Sequence, residues 1–366
     1  MAVFLVDLEA VETRYTGQWK THVPSLLKEH GHDVVVIQGP TDIPPATTPG
    51  AFLNFGGTNV YKARQVEQIG RLFTDGKVHS GDHFIFTDAW HPGIINLKYM
   101  SELLGIKVKI HALWHAGSYD PQDFLGRLIG DAPWVRHAEK SFFHAIDYNY
   151  FATQFHIEMF FTNLLNDYPN ENPWYDEDLA ELRAGTLTDK IVRTGWPMEY
   201  MPNMFAPYKN LHKRDLILFP HRIAPEKQLD IFKDLAKHMP EYEWIVCQEQ
   251  NLTKDQYHTL LGEAKIVFSA NLQETLGISM YEGALVGAMP LVPDRLSYKE
   301  MYEEKFKYPS HWTLTWKEYT DNRTQMVRFI RNHMSQFDMY KEDIQTQAES
   351  LSKRFFSATE LLKNIK

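Results

Sequence analysis

The sequence predicts an α/β protein built from two domains, each a parallel sheet with helices on both faces. The chain has 366 residues, which is too many for one ordinary core and suits two domains of common size. Short apolar runs alternate with longer helical patterns, and this alternation is typical of parallel sheets. Between about residues 170 and 208, prolines, asparagines and acidic residues interrupt the alternation, so we place a hinge there. A cleft between two such domains is the expected ligand site.

The first half of the chain carries one series of alternating strands and helices. Strands are predicted at residues 2–6, 32–37, 84–86, 108–113 and 148–152. Helices are predicted at residues 19–29, 60–73, 95–104, 134–145 and 154–166. A short strand at residues 191–194 closes the series, and we expect an N-terminal domain that covers residues 1–196.

The second half repeats the pattern after the hinge. Strands are predicted at residues 215–219, 244–247, 265–268 and 289–292. Helices are predicted at residues 225–238, 254–262 and 278–286, the first of them opening on Pro225, which suits the first helical position. We expect a C-terminal domain over residues 197–345. The helical segment 346–366 should pack back on the N-terminal domain, its last piece opened by a capping box of Ser357 and Glu360.

Composition excludes several classes of protein. The formal net charge of −9 gives no global attraction to nucleic acid or to anionic membranes, although such a sum leaves room for a local basic groove. No apolar run approaches the roughly 20 residues that a membrane span requires. Cys247 is the only cysteine, so no internal disulfide can form and a reducing, cytoplasmic location is expected. No Gly-x-Gly-x-x-Gly follows a strand, which disfavours NAD as a ligand.

The segment 269–284 carries the clearest functional signal. It begins where an apolar strand ends and finishes inside a helix, so residues 274–277 lie at the amino end of that helix. Backbone N–H groups and the positive end of the helix dipole favour a diphosphate at such a place. We expect the amides of Thr275, Leu276 and Gly277 to bind it. Glu282 would then reach a ribose diol, and Glu274 would lie beside the attached sugar.

Glu274 and Glu282, with seven residues between them and a Gly283-Ala284 pair after them, resemble the E-x7-E signature of retaining GT-B glycosyltransferases (glycosyltransferase family 4-like). That resemblance implies a fold of two Rossmann-like domains with parallel sheets facing across a cleft. It also implies that Glu274 lies beside the donor sugar and that Glu282 holds the nucleotide ribose. Within the family, the stretch from Glu274 to Tyr298 is most similar to enzymes that mannosylate queuosine in tRNA.

A second match lies upstream, at residues 219–228. Arg222 followed by Glu226 and Lys227 resembles the family's strand-end arginine and Glu-Lys pair, so Arg222 and Lys227 are implied to clamp the donor diphosphate. The family's glycine before that arginine is His221 here, which suggests a differently shaped turn. By itself, Glu226 is most simply a first-turn carboxylate that favours the helix dipole.

Two loops of the first domain are candidates for the acceptor side. Residues 12–18 lie between the first strand and the first helix, where GT-B enzymes hold a mobile glycine loop, so Gly17 is a candidate donor contact; an ordinary βα turn is the alternative. His115 follows a predicted strand and resembles the family's histidine that contacts the donor sugar. Asp88 or His91 could orient the acceptor hydroxyl, and a capping role for Asp88 is the alternative.

An aromatic cluster accompanies these loops in the sequence. Its members are Trp90, Trp114, Tyr119, Trp134, Tyr148 and Tyr150, and the basic residues nearby are Arg127, Arg136, His137 and Lys140. Such rings could stack on a base or a sugar, although helix faces in a core carry aromatic residues too.

No metal site is expected. No Asp-x-Asp stands at a strand end, and arginine, lysine and amide groups would offset the charge of the donor instead. His111 and His115 have the i, i+4 spacing of a metal pair, but they straddle a strand end where that spacing does not converge.

The resemblance implies transfer of a hexose or pentose from a nucleoside diphosphate sugar, such as a UDP- or GDP-sugar, to a hydroxyl group with retention of configuration. The first acceptor hypothesis is a hydroxylated modified base in nucleic acid, either DNA or tRNA. A glycan, a lipid-linked sugar or a small metabolite is the alternative acceptor. A GT-B protein that binds nucleotide without turnover is the alternative outside enzymes.

Overall fold

The computed structural model describes residues 1–10, 15–43, 54–130, 132–165 and 189–366. They divide into two compact units. The first unit contains Met1–Pro197 and Ala358–Lys366, and the second contains Met198–Ser357. The division after Pro197 lies one residue beyond the expected boundary. Residues 346–357, which were expected to pack on the first domain, belong to the second unit, and only the segment from Ala358 onward belongs to the first.

The first unit is built on a six-stranded parallel sheet with the order β2-β1-β3-β4-β5-β6. The strands are β1 Ala2–Val6, β2 Asp33–Ile37, β3 His83–Phe86, β4 Lys109–Leu113, β5 Tyr148–Phe151 and β6 Ile191–Arg193. Each of them coincides with a predicted strand. The prediction succeeded because a parallel sheet that is buried on both faces requires short runs of β-branched and aromatic residues, and these runs are visible in the sequence.

Helices flank this sheet. In the described part of the unit they are Tyr15–Glu29, Phe55–Thr74, Gly93–Leu103, Phe124–Ile129, Pro133–Ala145, Gln154–Phe160 and Thr359–Lys363. The short helix Phe124–Ile129 was not predicted; the carboxylate of Asp123 caps it by accepting from the Leu125 amide at 3.0 Å. The helix predicted at residues 154–166 ends at Phe160 and passes into a π-helical turn, Phe161–Leu165.

The last residues of the chain are bonded to the first unit. The amide of Leu361 donates to Thr194 Oγ1 at 3.2 Å. The helix begins after Ala358, one residue beyond Ser357, and the capping box of Ser357 and Glu360 stays a prediction. Glu360 pairs with Lys363 at 2.7 Å, one turn along the same helix.

The second unit is built on a five-stranded parallel sheet with the order β11-β10-β9-β7-β8. The strands are β7 Arg214–Phe219, β8 Glu243–Val246, β9 Ala264–Phe268, β10 Met289–Pro293 and β11 Lys307–Tyr308. The helices are Met201–Phe205, Leu229–His238, Lys254–Glu263, Ile278–Leu285, Tyr298–Met301, Trp316–Ser335 and Lys341–Arg354. Strand β11 and the long helix Trp316–Ser335 were not predicted.

The predicted helix 225–238 is split in two. Pro225–Lys227 forms a 3-10 turn, Gln228 takes a left-handed conformation with φ of +53°, and the α-helix starts at Leu229. The side-chain amide of Gln228 donates to the carbonyl oxygens of Ala270 and Thr313 at 2.6 Å each. These two bonds hold a backbone conformation that a residue other than glycine seldom adopts. No helix in the described residues is long and apolar enough to cross a membrane.

Candidate active site

The loops after β7 and β9 meet in the second unit. The two strands are parallel neighbours, so their carboxyl ends lie at the same edge of the sheet. The amide of Leu272 donates to the carbonyl of Glu226 at 2.8 Å, in addition to the bond from Gln228 to Ala270. Together these bonds bring Arg222 and Lys227 on one loop next to Glu274 on the other.

Lys227 and Glu274 form an ion pair. Their Nζ and Oε2 atoms are 3.4 Å apart, and the two side chains are only 7% and 18% exposed. Lys227 also donates to the carbonyl of Gln273 at 2.6 Å, and Asn271 Nδ2 donates to Glu274 Oε2 at 3.2 Å. Burial alone would raise the pKa of Glu274, but the charge of Lys227 and the amides of Gly277 and Leu276 outweigh it and lower that pKa. Glu274 is therefore a carboxylate at neutral pH.

Arg222 is held by an acidic neighbour. Its Nη2 donates to Glu226 Oε1 at 2.5 Å, and the Glu226 side chain is fully buried while that of Arg222 is 32% exposed. The buried carboxylate thus anchors one end of a guanidinium that is only partly exposed. Glu226 therefore does more than favour a helix dipole, which is what the sequence alone indicated.

His221 lies near Lys227 and Glu274. Its Nδ1 is 3.4 Å from Ser279 Oγ, and its Nε2 is buried with no hydrogen-bond partner in the described residues. Burial, aided by the charge of Lys227, lowers the pKa of His221 to about 3. The ring is therefore neutral, and the cationic charge at this edge belongs to Arg222 and Lys227.

Gly277 precedes the helix Ile278–Leu285 with a φ of +72°, a region that favours glycine. A Cβ atom at this position would lie 2.7 Å from Cε1 of Tyr298. The glycine is therefore required by the turn and by the tyrosine packed beneath it. The amide of Leu276 donates weakly to Glu274 Oε1 at 3.4 Å, and Thr275 beside it is buried. In this structure two of the amides expected to bind a diphosphate, those of Leu276 and Gly277, are bonded to the carboxylate of Glu274.

Glu282 lies one turn into the same helix. Tyr257 donates its hydroxyl to Glu282 Oε2 at 2.7 Å. Burial raises the pKa of Glu282 to about 7, although Tyr257 and Lys254 both act to lower it. Glu282 therefore titrates near neutrality. One of its oxygens is bound to Tyr257, and the other can accept from a ligand hydroxyl.

Sequence reasoning missed the residues that support this site. Arg295 donates to the carbonyl oxygens of Asn271 and Ala270 at 2.7 Å each and to that of Ser310 at 2.9 Å, so it fixes the loop before Glu274. Tyr298 bonds Asn271 Nδ2 at 3.1 Å. Both residues follow β10, and the loop that they contact follows the neighbouring strand β9. Only their position after a strand end could have suggested this contact from the sequence.

The first unit holds the predicted residue His115. Its Nε2 lies 2.6 Å from the carbonyl of Thr87 and its Nδ1 lies 2.7 Å from the Tyr15 hydroxyl. Nε2–H therefore donates to Thr87, and Nδ1 accepts from Tyr15. Burial lowers the pKa of His115, against the opposing effect of Asp88. Trp19 and Trp196 pack around this ring, at centroid distances of 5.6 and 4.2 Å.

Asp88 caps its own loop, as one of the two sequence interpretations expected. Its Oδ1 accepts from the Trp90 amide at 3.0 Å, and its Oδ2 pairs with Lys62 at 3.1 Å. Burial would raise the pKa of Asp88, but the charge of Lys62 and the bond from the Trp90 amide outweigh it and lower that pKa. His91 is buried, with Nε2 bonded to Gln65 at 3.0 Å and Nδ1 to the Gly93 amide at 2.9 Å. Both ring nitrogens of this histidine are therefore engaged by protein groups, and its role toward the acceptor hydroxyl stays a prediction.

The helix Tyr15–Glu29 begins four residues earlier than predicted, so Gly17 lies in its first turn and not in a loop. Residues 12–14 of the predicted glycine loop lie outside the described residues. Half of the predicted aromatic cluster is core: Trp114, Tyr119 and Tyr150 are buried, Trp90 and Tyr148 are half-buried, and only Trp134 is well exposed. His111 is also buried, bonded to His83 at 2.8 Å and to Tyr150 at 3.0 Å.

Comparisons with known proteins place this geometry in a wider context. No protein-family model matches the sequence. The chain is 33% identical over 159 residues to the tRNA-queuosine alpha-mannosyltransferase of Drosophila melanogaster, an alignment that covers 42% of this chain and 41% of that protein. The chain therefore matches less than half the length of this curated relative.

Solved structures share the fold over almost the whole chain. Sucrose-phosphate synthase from Thermosynechococcus elongatus has a TM-score of 0.58 at 9% identity, covering 99% of this chain and 97% of its own. The catalytic domain of starch synthase IV from Arabidopsis thaliana, bound to ADP and acarbose, has a TM-score of 0.54 at 10% identity, covering 99% and 97%. Anabaena HepE in complex with UDP has a TM-score of 0.54 at 10% identity, covering 98% and 97%.

These likenesses, with two parallel-sheet α/β units, show that the chain has the GT-B fold of glycosyltransferases. The fold predicted from the sequence is confirmed. The sequence relative is itself a glycosyltransferase by name.

Proposed function

We propose that this chain is a glycosyltransferase that transfers a sugar from a nucleoside diphosphate sugar to a hydroxyl group, with retention of configuration. The observation that carries the proposal is the buried pair of Lys227 and Glu274, 3.4 Å apart, at the edge of the sheet where Arg222 also lies. Two cations and one ionised carboxylate suit a donor that carries an anionic diphosphate next to a sugar.

On binding, the diphosphate of the donor would replace the carboxylate of Glu274 as the partner of Lys227. The diphosphate takes the amides of Leu276 and Gly277 and the ammonium of Lys227, while Arg222 reaches it from its position on Glu226. Glu274 is thereby released toward the sugar. The second oxygen of Glu282 accepts from a ribose hydroxyl while the first stays on Tyr257.

Departure of the nucleoside diphosphate is the step that this set of groups assists. As the bond from the anomeric carbon to the phosphate oxygen breaks, negative charge grows on that oxygen, and Arg222, Lys227 and the amides stabilise it. Glu274 offsets the positive charge that develops on the anomeric carbon. The acceptor oxygen attacks from the same face and passes its proton to the leaving phosphate oxygen, which accounts for retention and balances the protons.

The acceptor we propose is a hydroxylated modified base in tRNA, because the sequence relative is named for tRNA-queuosine. Hydroxymethylated DNA is the second nucleic acid to be tested. The experiment incubates the chain with UDP- and GDP-sugars and either acceptor, and then measures nucleosides by mass spectrometry. A gain of one sugar mass on a modified nucleoside is expected, and no gain on any nucleoside would contradict a nucleic-acid acceptor.

Glu274→Gln tests the division of labour within the site. The variant should lower turnover by about 100-fold, as loss of a transition-state charge contact does. Donor affinity should be unchanged or higher, because Lys227 no longer pairs with a carboxylate. Glu249→Gln is the matched control, since Glu249 pairs with Lys233 at the surface at 2.7 Å. Normal turnover in Glu274→Gln, or donor binding by the unaltered chain with neither transfer nor donor hydrolysis, would refute the proposal.

A further inference from the structure

The side chain of Asn271 is buried, yet only one end of its amide is bonded. Its Nδ2 donates to Glu274 Oε2 at 3.2 Å and to the hydroxyl oxygen of Tyr298 at 3.1 Å. Its Oδ1 is buried and has no hydrogen-bond partner in the described residues. Because an ionised carboxylate can only accept, the nitrogen of this amide, and not its oxygen, must face Glu274.

The unpaired oxygen of Asn271 destabilises the folded chain. Buried acceptors without a partner are few in folded proteins, and each lowers stability. The buried Asn149 of the first unit has the usual arrangement, in which both ends of the amide are bonded. Its Oδ1 accepts from Trp114 Nε1 at 2.9 Å, and its Nδ2 donates to the carbonyl of Phe143 at 3.3 Å. Asn271 lacks one of these bonds and keeps its N–H donor on the carboxylate of Glu274.

Four groups in the described part of the chain are bonded to this carboxylate. They are Lys227 Nζ at 3.4 Å, Asn271 Nδ2, and the amides of Leu276 and Gly277. The proposed function assigns Lys227 and both amides to the donor diphosphate, because cations and helix-end N–H groups bind anions. Among these four groups, only Asn271 would then remain bonded to Glu274 once the donor is in place.

The position of Asn271 is itself fixed at several points. Its backbone amide donates to Ser269 Oγ at 3.3 Å, and its carbonyl accepts from Arg295 Nε at 2.7 Å. The Tyr298 hydroxyl that contacts its side chain also lies 3.1 Å from Ser269 Oγ. A side chain held at its backbone and at its amide can in turn hold a reacting group in one direction.

We infer that Asn271 is a positioning residue for the transfer reaction, which directs the Glu274 carboxylate toward the anomeric carbon after the donor diphosphate has taken the other partners of Glu274. The inference rests on the proposed function and adds to it a residue that lies outside the two glutamates of the motif. Asn271 acts through Glu274 and does not itself touch the sugar.

The first test compares Asn271→Ala with and without the Glu274 carboxylate. Asn271→Ala should lower kcat about tenfold and change the KM for the donor by less than about twofold, because Glu274 is misaligned while the diphosphate contacts stay. In the Glu274→Gln background the same substitution should change kcat by less than about twofold, since the group through which it acts is gone. Asn210→Ala is the matched control, an exposed asparagine of the same unit, and should leave kcat and KM unchanged.

Full turnover in Asn271→Ala would overturn the inference. Losses that multiply in the double variant would also overturn it, because they would show that Asn271 supports the loop and does not act through Glu274. Circular dichroism and the affinity for the free nucleoside diphosphate, measured by calorimetry, report whether each variant is folded.

Asn271→Asp tests the direction of the amide with little change in size, and so it also serves if the alanine variant does not fold. The new carboxylate would replace a nitrogen that is 3.2 Å from Glu274, and like charges that close raise the apparent pKa of the pair. The acid limb of the pH profile of kcat should therefore move up by about one pH unit or more. An unmoved limb would overturn the inference. The substitution leaves unchanged the other titratable groups near Glu274, which in the described residues are Lys227, His221, Tyr298 and Tyr302.

Failure of the proposed function would be seen separately. If the unaltered chain neither transfers nor hydrolyses a donor sugar, that function fails, and urea unfolding then decides whether Asn271 acts on Glu274. The carboxyl pair in folded Asn271→Asp keeps a proton that the unfolded chain loses above about pH 4 to 5. Asn271→Asp should therefore lower the urea midpoint more at pH 8 than at pH 5. In the Glu274→Gln background this excess loss at pH 8 should shrink by at least half, and a smaller reduction would overturn the inference.

Discussion

The raised pKa of Glu282 makes a prediction about both stability and binding. The pKa moves from 4.5 to about 7 because the carboxyl group is buried. At about 1.4 kcal/mol per pKa unit, ionising this group in the folded chain costs roughly 3 kcal/mol at most. Between pH 4.5 and 7 the unfolded chain loses this proton while the folded chain retains it, so this contribution to stability falls as pH rises.

Glu282→Gln removes the ionisation and keeps an oxygen that can accept from Tyr257. The variant should be more stable than the unaltered chain by about 1–3 kcal/mol at pH 8, and the difference should vanish near pH 5. Donor affinity should fall about tenfold or more at pH 8, since a charged acceptor is lost from the ribose contact. In the unaltered chain, donor affinity should rise between pH 6 and 8, and in the variant this rise should disappear.

Urea denaturation at pH 5 and pH 8 measures the stability, and calorimetry with a nucleoside diphosphate sugar measures the affinity. Glu241→Gln is a suitable control, because Glu241 is an exposed partner of Arg331 at 2.7 Å. If Glu282→Gln were less stable than the unaltered chain by the same amount at both pH values, ionisation of Glu282 would cost the folded chain no free energy, contrary to the prediction. Unchanged donor affinity at pH 8 would remove Glu282 from the nucleotide site.

Three further substitutions test the support of the site. Glu226→Gln should weaken donor binding about tenfold in calorimetry, because Arg222 loses its charged partner; equal affinity would show that Arg222 does not need this carboxylate. Gly277→Ala should lower the free energy of unfolding by about 1–3 kcal/mol in urea, from the positive φ and the contact with Tyr298, and a neutral result would show that the turn relaxes. Arg295→Lys should lower turnover about tenfold while leaving the helices intact by circular dichroism, since lysine cannot bond three carbonyl groups in one plane; full turnover would make the loop independent of Arg295.

The strands were predictable because they are local. In both units the parallel strands are short apolar runs, and a run such as Ile217–Phe219 with its neighbours reads as a strand without reference to the rest of the chain. Strand β11 has only two residues, which is too short for any periodic pattern. The helix Trp316–Ser335 was missed although its buried residues Tyr319, Met326, Ile330 and Met334 repeat at helical spacing, because polar residues dominate the rest of it.

The site was predictable only as far as its motif extends along the sequence. Glu274 and Glu282 share one strand-loop-helix segment, so their proximity follows from local structure. The contacts of Arg295 with Asn271 and of Tyr257 with Glu282 join residues 24 and 25 positions apart, and such contacts depend on how the strands are ordered in the sheet. The break at Gln228 depends in the same way on two distant carbonyl groups.

In the first unit, the sequence indicated the strand-end loops but not the state of their side chains. His115 follows β4 as expected, yet both of its ring nitrogens are bonded to protein groups. His91 and three of the predicted aromatic residues lie in the core. A ring near a strand end can pack in the core as readily as it can bind a ligand, and the sequence does not distinguish the two. The contact of His115 with a donor sugar stays a prediction, and it requires the Tyr15 hydroxyl to release Nδ1 of His115.

The contact between Glu274 and Lys227 gives the site an internal competitor. Any anion that enters must displace a tethered carboxylate, which is always present at high effective concentration. A lone phosphate ion offers little more than that carboxylate does, and so it should be a poor inhibitor. Under the proposed function, a nucleoside diphosphate would add a second phosphoryl group and a ribose, and this combination would exceed the competitor. After transfer, the same carboxylate would return to its lysine and help to expel the product.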